Sequence, residues 1–321
     1  MPLTNYIIFL VFFFVFEMIY FKIADHYNII DKPNHRSSHL EVTIRGGGII
    51  FGISVLLFCF FYNFEYLYFV IGLFLISAIS FIDDVVTLNN KIRLSIHLVA
   101  VALMFYQWNL FDLNWYWIII AAVFVIGTIN AYNFMDGING ITGAYSLITV
   151  ITLYYLNTLF SFANQNLIII TGLSLLVFNF FNFRKKAKCF AGDVGSVSIA
   201  FILIFLIGLL ILKTQNLSYI LLFLLYGLDA VFTVFFRAIR KENIFEAHRS
   251  HFYQYLSNEL KWPHLKVSAL YFFIQLLINL CLIFWTKDSI ILNLILIFTL
   301  SIMFLIIRFK LEGKQRLLNL Q

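Results

Sequence analysis

The chain has 321 residues, of which 62% are hydrophobic and 12% charged, with 39 phenylalanines and three prolines. Soluble domains carry roughly 25% charged and 45–50% apolar residues, so a water-soluble fold of this composition could not cover its own surface, and a membrane protein is indicated. The formal charge of +6 would suit nucleic acid, but its placement argues otherwise. Cys59, Cys189 and Cys281 lie too far apart for a disulfide framework or a zinc site.

A membrane-spanning helix needs about 20 apolar residues. In chain order, such runs are predicted at about 3–21, 46–63, 66–82, 92–107, 115–133, 141–159, 166–183, 195–212, 217–236, 267–285 and 289–308. The first is too long for a signal-peptide core and has no small-residue cleavage site, so it reads as a retained helix. No internal repeat or low-complexity linker divides residues 1–321, which are treated as a single domain. The expected fold is all-α and polytopic, with about eleven transmembrane helices. Numbering the connections alternately puts twenty of the 22 Lys and Arg residues on one side and only Lys213 and Lys287 on the other. The positive-inside rule makes the rich side cytoplasmic, with the N-terminus outside and the C-terminus inside. Topology and lipid headgroups thus account for the basic charge, and a nucleic-acid partner is unnecessary.

The outer connections are short and nearly featureless, whereas the inner ones hold almost every unusual polar residue. The first reads Asp31-Lys-Pro-Asn-His35-Arg36-Ser-Ser-His39, followed by Arg45-Gly46-Gly47-Gly48. Asp83 and Asp84 end the third run. A solvated helix end would explain them, but carboxylates at a helix C-terminus oppose its dipole and repel each other. A divalent cation or a nearby cationic group would relieve both costs. Asn130, Asn133, Asp136-Gly137 and Asn139-Gly140 close the fifth run. The glycine pairs are turn formers, but a turn does not explain Asn130 and Asn133 on one helix face. Gly192-Asp193-Val-Gly195-Ser196 precedes the eighth run. Asp193 or Ser196 could cap that helix, and its free N–H groups would equally suit a phosphate. On the ninth run Asp229, Thr233, Arg237 and Arg240 form one stripe, for which an intrahelical ion pair is the simplest reading. The last long inner loop contains His248-Arg249-Ser250-His251-Phe252-Tyr253-Gln254. It and the first loop could be headgroup anchors, or could bring cations and imidazoles to face the carboxylates.

If several of Asp83, Asp84, Asp136 and Asp193 converge, two of them about 5 Å apart repel by about 3 kcal/mol at an effective dielectric of 20. Such a cluster implies a cation. The candidate ligands are hard oxygens, which favours Mg²⁺, with Mn²⁺ as the alternative. An oxygen-ligated Mg²⁺ beside Arg, His and a glycine-rich helix start is suited to phosphoryl transfer.

These motifs, in this order from about residue 31 to 254, resemble the polyprenyl-phosphate N-acetylhexosamine-1-phosphate transferases. That family includes the phospho-MurNAc-pentapeptide translocase and the enzymes that start O-antigen, teichoic-acid and capsule chains. The resemblance implies that Asp83 and Asp84 are the paired aspartates that engage lipid phosphate or metal. It implies that Asn130, Asn133 and Asp136 line the nucleotide-sugar site, that Asp193 is the Mg²⁺ ligand, and that His248, Arg249 and His251 contact the nucleotide-sugar. Asn139 stands where some members have a second aspartate, and Ile44 where a proline is usual. The last loop lacks the translocase's run of three histidines, and is similar instead to members that start O-antigen synthesis with GlcNAc, QuiNAc or FucNAc.

The expected reaction joins polyprenyl phosphate and a UDP-N-acetylhexosamine to give polyprenyl-diphospho-sugar and UMP, at the cytoplasmic face of the bacterial inner membrane. Asp83, Asp84 and Asp136 are the candidate catalytic residues, and Asp193 the metal ligand. Arg36, His39, Arg45, Asn130, Asn133, His248, Arg249 and His251 are the candidate substrate-binding residues. Arg36, Arg45 and Arg249 would neutralise the anionic substrates together with Mg²⁺. Expected partners are the two substrates and membrane lipids, with a homodimer as the candidate assembly. A lipid or lipid-linked-sugar transporter is the rival reading. It would need ionisable groups near the bilayer midplane, where these runs offer only Glu17, His97 and, near an inner end, Asp229.

Overall fold

Each predicted run is helical in the structure, a computed structural model that describes residues 3–31, 42–243 and 248–319. The helices are α1 (Leu3–His26), α2 (Ile49–Phe61), α3 (Leu67–Val85), α4 (Asn90–Gln107), α5 (Trp115–Met135), α6 (Ile141–Phe160), α7 (Gln165–Asn182), α8 (Gly192–Thr214), α9 (Leu224–Ile239), α10 (Phe252–Gln254), α11 (His264–Leu280), α12 (Ile290–Glu312) and α13 (Lys314–Leu318). Two short strands, β1 (Ile30–Asp31) and β2 (Thr43–Ile44), pair antiparallel with Ile30 opposite Ile44.

Among the described residues, nine helical segments are long and apolar enough to cross a membrane, where the sequence suggests eleven. Two of the nine extend beyond α9 and α11 to Leu217–Ile239 and His264–Thr286. The two further runs form α2 and α4. The first is only 13 residues long, and Lys91 and Arg93 in the first turn of the second dilute its apolarity. The chain is an all-α, multi-pass membrane protein.

The core is built around α8. Its apolar window is 83% buried, against 11% for α12, as expected of a helix that is apolar on every side and enclosed by others. It packs against α2, α3, α5 and α6. Lipid tails are as apolar as leucine, so membrane helices associate through close packing and hydrogen bonds between them. Both occur here. The rings of Phe69 on α3 and Phe205 on α8 stack at 3.7 Å, and Ser77 and Ser198 share a 2.7 Å hydrogen bond. Gly72 lies close to the backbone of Ala100 on α4, and Gly208 carries the Trp108 ring. This packing brings the C-terminal end of α3 beside the N-terminal end of α8.

Candidate active site

The first layer of the site is a backbone weld between two glycine-rich segments. Phe190 N–H donates to Ile44 O at 2.8 Å, Gly47 N–H to Phe190 O at 2.9 Å, and Gly48 N–H to Ala191 O at 3.1 Å. A side chain on Gly48 would lie 2.2 Å from Gly195 Cα, and one on Gly195 would lie 2.6 Å from Gly48 Cα. Gly192 has φ +71, in the region that favours glycine, and packs against Gly46 and the Asp84 carboxylate. The Arg-Gly-Gly-Gly and Gly-Asp-Val-Gly motifs therefore fit each other, and their contact places Arg45 over the start of α8.

Asp84 is the anion that the start of α8 receives. Its Oδ1 accepts from Asp193 N at 2.9 Å and its Oδ2 from Val194 N at 2.9 Å. Arg45 Nε lies 2.7 Å from Asp84 Oδ1, and Arg45 Nη2 donates to Asp193 Oδ1 at 3.3 Å. The Asp84 side chain is fully buried and that of Asp193 is 20% exposed. The phosphate that the sequence would admit at these N–H groups thus meets a protein carboxylate already there. Asp83 points elsewhere. It accepts from Arg93 Nη1 at 2.7 Å and from Leu88 N at 2.7 Å. Arg93 also lies 3.8 Å from Asp193. Each of the adjacent aspartates is paired with its own arginine, which relieves the repulsion noted in the sequence.

The C-terminal end of α5 supplies the next groups. Asn133 Nδ2 donates to Ser196 Oγ at 3.1 Å, tying α5 to α8. Asn130, one turn earlier, is half-buried. Asp136 follows the last residue of α5, and residues 136–140 make the turn into α6. Burial, then the charges of Asp193 and Asp84, push the Asp136 carboxyl up to about 7, with Thr142 and Arg45 opposing. Asp84, Asp136, Asp193 and Arg45 therefore share one electrostatic neighbourhood. Asn139 is outside it: its Nδ2 donates to the carbonyls of Arg184 and Lys185 at 2.9 and 3.2 Å, so it braces a loop.

The last loop is held by a second buried carboxylate. Asp229 makes no intrahelical ion pair with the stripe's Arg237, which lies eight residues on, two turns along α9. It accepts from Phe252 N at 2.8 Å, Tyr253 N at 3.2 Å and Tyr271 Oη at 2.6 Å, and lies 3.3 Å from His251 Nδ1. Arg237 instead donates to Glu242 and to Asn243 O. The N–H groups of Phe252 and Tyr253 are buried donors that need acceptors, and the Asp229 carboxylate serves both. His251 is 2% exposed, and its side chain and that of Gln254 cap the short α10. His251, which the resemblance assigns to the nucleotide-sugar, therefore also has structural work. Tyr253 Oη donates to Phe134 O at 2.9 Å and covers Gly137, so the loop closes onto the end of α5. His248 stacks on His251 with ring centres 5.0 Å apart. Burial, then the neighbouring His251 and Arg237, lower its pKa to about 4, which keeps the imidazole neutral.

Arg36 and His39 lie outside the described residues. Arg45, Asp84 and Asp193 are joined by direct contacts, Asp83 reaches them through Arg93, and Asn133 reaches them through Ser196. Asp136 joins them by electrostatics, and His248, Arg249 and His251 stand on the loop anchored to α5. Arg93 is the residue that sequence reasoning missed. It entered only as one more inner-side charge, although its position shortly after the aspartate pair was a usable signal.

Among the described residues, no group of three or more His, Cys, Asp or Glu side chains is gathered to hold a metal alone. Both oxygens of Asp83 and of Asp84 are already hydrogen-bonded, so these two fit poorly as metal ligands. Asp193, partly exposed, fits the usual arrangement in which Mg²⁺ takes one or two carboxylates and completes its shell from water and substrate phosphates.

Residues 66–212 match the family described as Glycosyl transferase family 4. The chain is 26% identical over 262 residues to the probable undecaprenyl-phosphate N-acetylglucosaminyl 1-phosphate transferase of Bacillus subtilis, covering 73% of this chain and 71% of that protein. It is 28% identical over 277 residues to the phospho-N-acetylmuramoyl-pentapeptide-transferase of Dictyoglomus thermophilum, covering 78% and 87%. It is 27% identical over 227 residues to the undecaprenyl-phosphate alpha-N-acetylglucosaminyl 1-phosphate transferase of Yersinia pestis, covering 62% and 61%.

Proposed function

We propose that the chain, whose residues 66–212 match glycosyltransferase family 4 and whose matched relatives are named as phosphosugar transferases, transfers an N-acetylhexosamine-1-phosphate from a UDP-sugar to polyprenyl phosphate. The product would be a polyprenyl-diphospho-sugar that starts a cell-surface glycan of O-antigen or capsule type, and UMP would be released. The observation that carries the reading is the Arg45–Asp84–Asp193 and Arg93–Asp83 constellation at the adjoining ends of α3 and α8.

In the proposed reaction an oxygen of the lipid phosphate attacks the β-phosphorus of the UDP-sugar. A new P–O bond forms, the bond from the β-phosphorus to the bridging oxygen breaks, and the electron pair leaves on UMP. A phosphate monoester has its second pKa near 6, so at neutral pH the nucleophile is already largely ionised and needs no strong base. The main task is charge neutralisation. Arg45 and Arg93 are the cations held at the acidic cluster, and Arg249, with Arg36, is assigned to the substrates. Asp84 acts by seating Asp193 and Arg45, and Asp136 by its place at the end of α5. Asp193 would hold Mg²⁺, which when bound supplies electrostatic stabilisation of the transferring phosphoryl group. The site is assigned to the cytoplasmic face, with the N-terminus outside and the C-terminus inside, on the charge split of the connections.

For the sugar, the form of the 248–254 loop favours GlcNAc, QuiNAc or FucNAc over MurNAc-pentapeptide. Relatives of both kinds match the chain, so they do not separate these choices. The test is UMP release by purified protein from a panel of UDP-sugars. Release is expected only with Mg²⁺ and polyprenyl phosphate both present. Movement of lipid across a vesicle bilayer with no UMP formed would replace this reading with the transporter.

A further inference from the structure

The last long apolar helix, α12, is the least enclosed of the nine, yet Arg308 near its inner end is 1% exposed. A guanidinium buried in a membrane protein is costly unless its hydrogen bonds are met. Here they are met at three points. Nη1 donates to Thr233 Oγ1 on α9 at 3.1 Å, Nη2 donates to Ser250 O at 3.0 Å, and both Nε and Nη2 donate to Glu312. Phe236 and Phe252 lie beside the guanidinium, with ring centres 5.2 and 6.0 Å away.

The contact with Ser250 matters because Ser250 lies between Arg249 and His251. From it the loop runs to Phe252 and Tyr253, whose N–H groups sit on Asp229, and on to the Tyr253 hydroxyl, bound to Phe134 O just before Asp136. Thr233, the other Arg308 partner, also donates to Asp229 Oδ1 at 3.2 Å. A planar fork can serve Thr233, Ser250 and Glu312 together, whereas the single ammonium of lysine cannot reproduce those directions. The matched family region ends at residue 212, so α12 lies beyond it.

We propose that Arg308 is a positioning residue for the transfer reaction. It locks the His248–Tyr253 segment against the inner end of α5, so that the nucleotide-sugar side of the site is formed before substrate arrives. This rests on the transferase reading above. Arg308 touches no reacting atom and acts through Ser250 O and the Asp229 cap.

The test uses the full chain in detergent or nanodiscs, with Arg308→Lys, Arg308→Met and the paired Arg308→Met/Glu312→Met. The paired variant removes both buried charges, so it avoids the penalty of leaving Glu312 with only the partly exposed Arg316 for a partner. All three are expected to raise KM for the UDP-sugar by about tenfold or more, with KM for polyprenyl phosphate and kcat within about twofold. The paired variant should regain the thermal midpoint lost by Arg308→Met and keep the raised KM. A paired variant with a wild-type KM, or an equal rise in both KM values, would mean that Arg308 only supports the fold. Wild-type protein that releases no UMP would defeat the transferase reading instead. The clamp is then decided by amide hydrogen exchange in the paired variant: faster exchange confined to residues 248–254, with 192–197 unchanged, supports it, and unchanged exchange at 248–254 overturns it.

Discussion

Asp84 and Asp229 do the same job at opposite sides of the site. Each is a buried carboxylate on a membrane helix that accepts two backbone N–H groups from the start of another helical segment: Asp193 and Val194 in one case, Phe252 and Tyr253 in the other. They differ in what completes the shell. Asp84 adds Arg45, which is 34% exposed and also reaches the partly exposed Asp193. Asp229 adds Tyr271 and His251, both buried. The same capping device therefore presents charge to water on one side and positions a loop on the other. A carboxylate at a helix end is not a catalytic group by virtue of its sequence alone. What distinguishes the two is whether the next charge outward is open to solvent.

The sharpest test of that difference is Asp193, the open charge beside the Asp84 cap. Asp193→Asn is expected to lower kcat by about a thousandfold, roughly 4 kcal/mol in the barrier, with the thermal midpoint unchanged. Near-normal turnover at saturating Mg²⁺ would remove the metal-ligand assignment. The two caps themselves come next. Asp84→Asn and Asp229→Asn should each cost about 3 kcal/mol of stability, because each leaves buried partners unpaired. Their kinetics should diverge. Asp84→Asn should act on kcat, and Asp229→Asn on KM for the nucleotide-sugar. Identical kinetic profiles would show that the two sides are not separable.

A smaller effect is expected at Asp136, which stands between them. Its pKa in the fold, about 7, exceeds the ordinary aspartate value. Its neutral form is therefore favoured by folding, and stability falls as pH rises from about 4 through 7. Asp136→Asn removes that loss. Without Mg²⁺ it should stabilise the protein more at pH 8 than at pH 5, by about 1–2 kcal/mol, read from melting curves at the two values. An equal effect at both would mean that the carboxyl is not held neutral. The smallest change concerns His248, which is free of the capping work of His251 and Gln254. His248→Ala should raise KM for the UDP-sugar by about tenfold, near 1.4 kcal/mol, without a pH dependence between 6 and 8, because the imidazole is neutral throughout. A uniform loss across GlcNAc, QuiNAc and FucNAc nucleotides would assign it to the diphosphate rather than to the sugar.

Much of this architecture was legible from residue order. Hydrophobic run length marks membrane helices because an unsatisfied backbone is not tolerated in lipid, and all eleven runs are helical. Their status as spans was less readable. The 13 residues of α2 fall short of a bilayer, and the charged start of α4 lowers its apolarity. The turn at 136–140 could be read from its glycines and asparagines, since those residue types tolerate tight backbone. The acidic residues and the glycine motifs were likewise visible as candidates.

Partner choice was not visible, because it depends on which helix ends meet after packing. Asp84 faces α8 and Asp83 faces Arg93, although the two are adjacent in the chain. Arg93 and Arg308 look in sequence like any inner-side basic residue, and only packing brings Asp83 on α3 to the one and Thr233 on α9 and Ser250 O to the other. Asp229 and Arg237 share a face of α9 but lie eight residues apart, beyond the i, i+4 reach of a direct pair. The loop at 252–253 offers two N–H groups that cannot stay unbonded in a buried place, and Asp229 accepts from both. Residue type and spacing state which interactions a side chain is able to make. The burial created by packing decides which of them it must make.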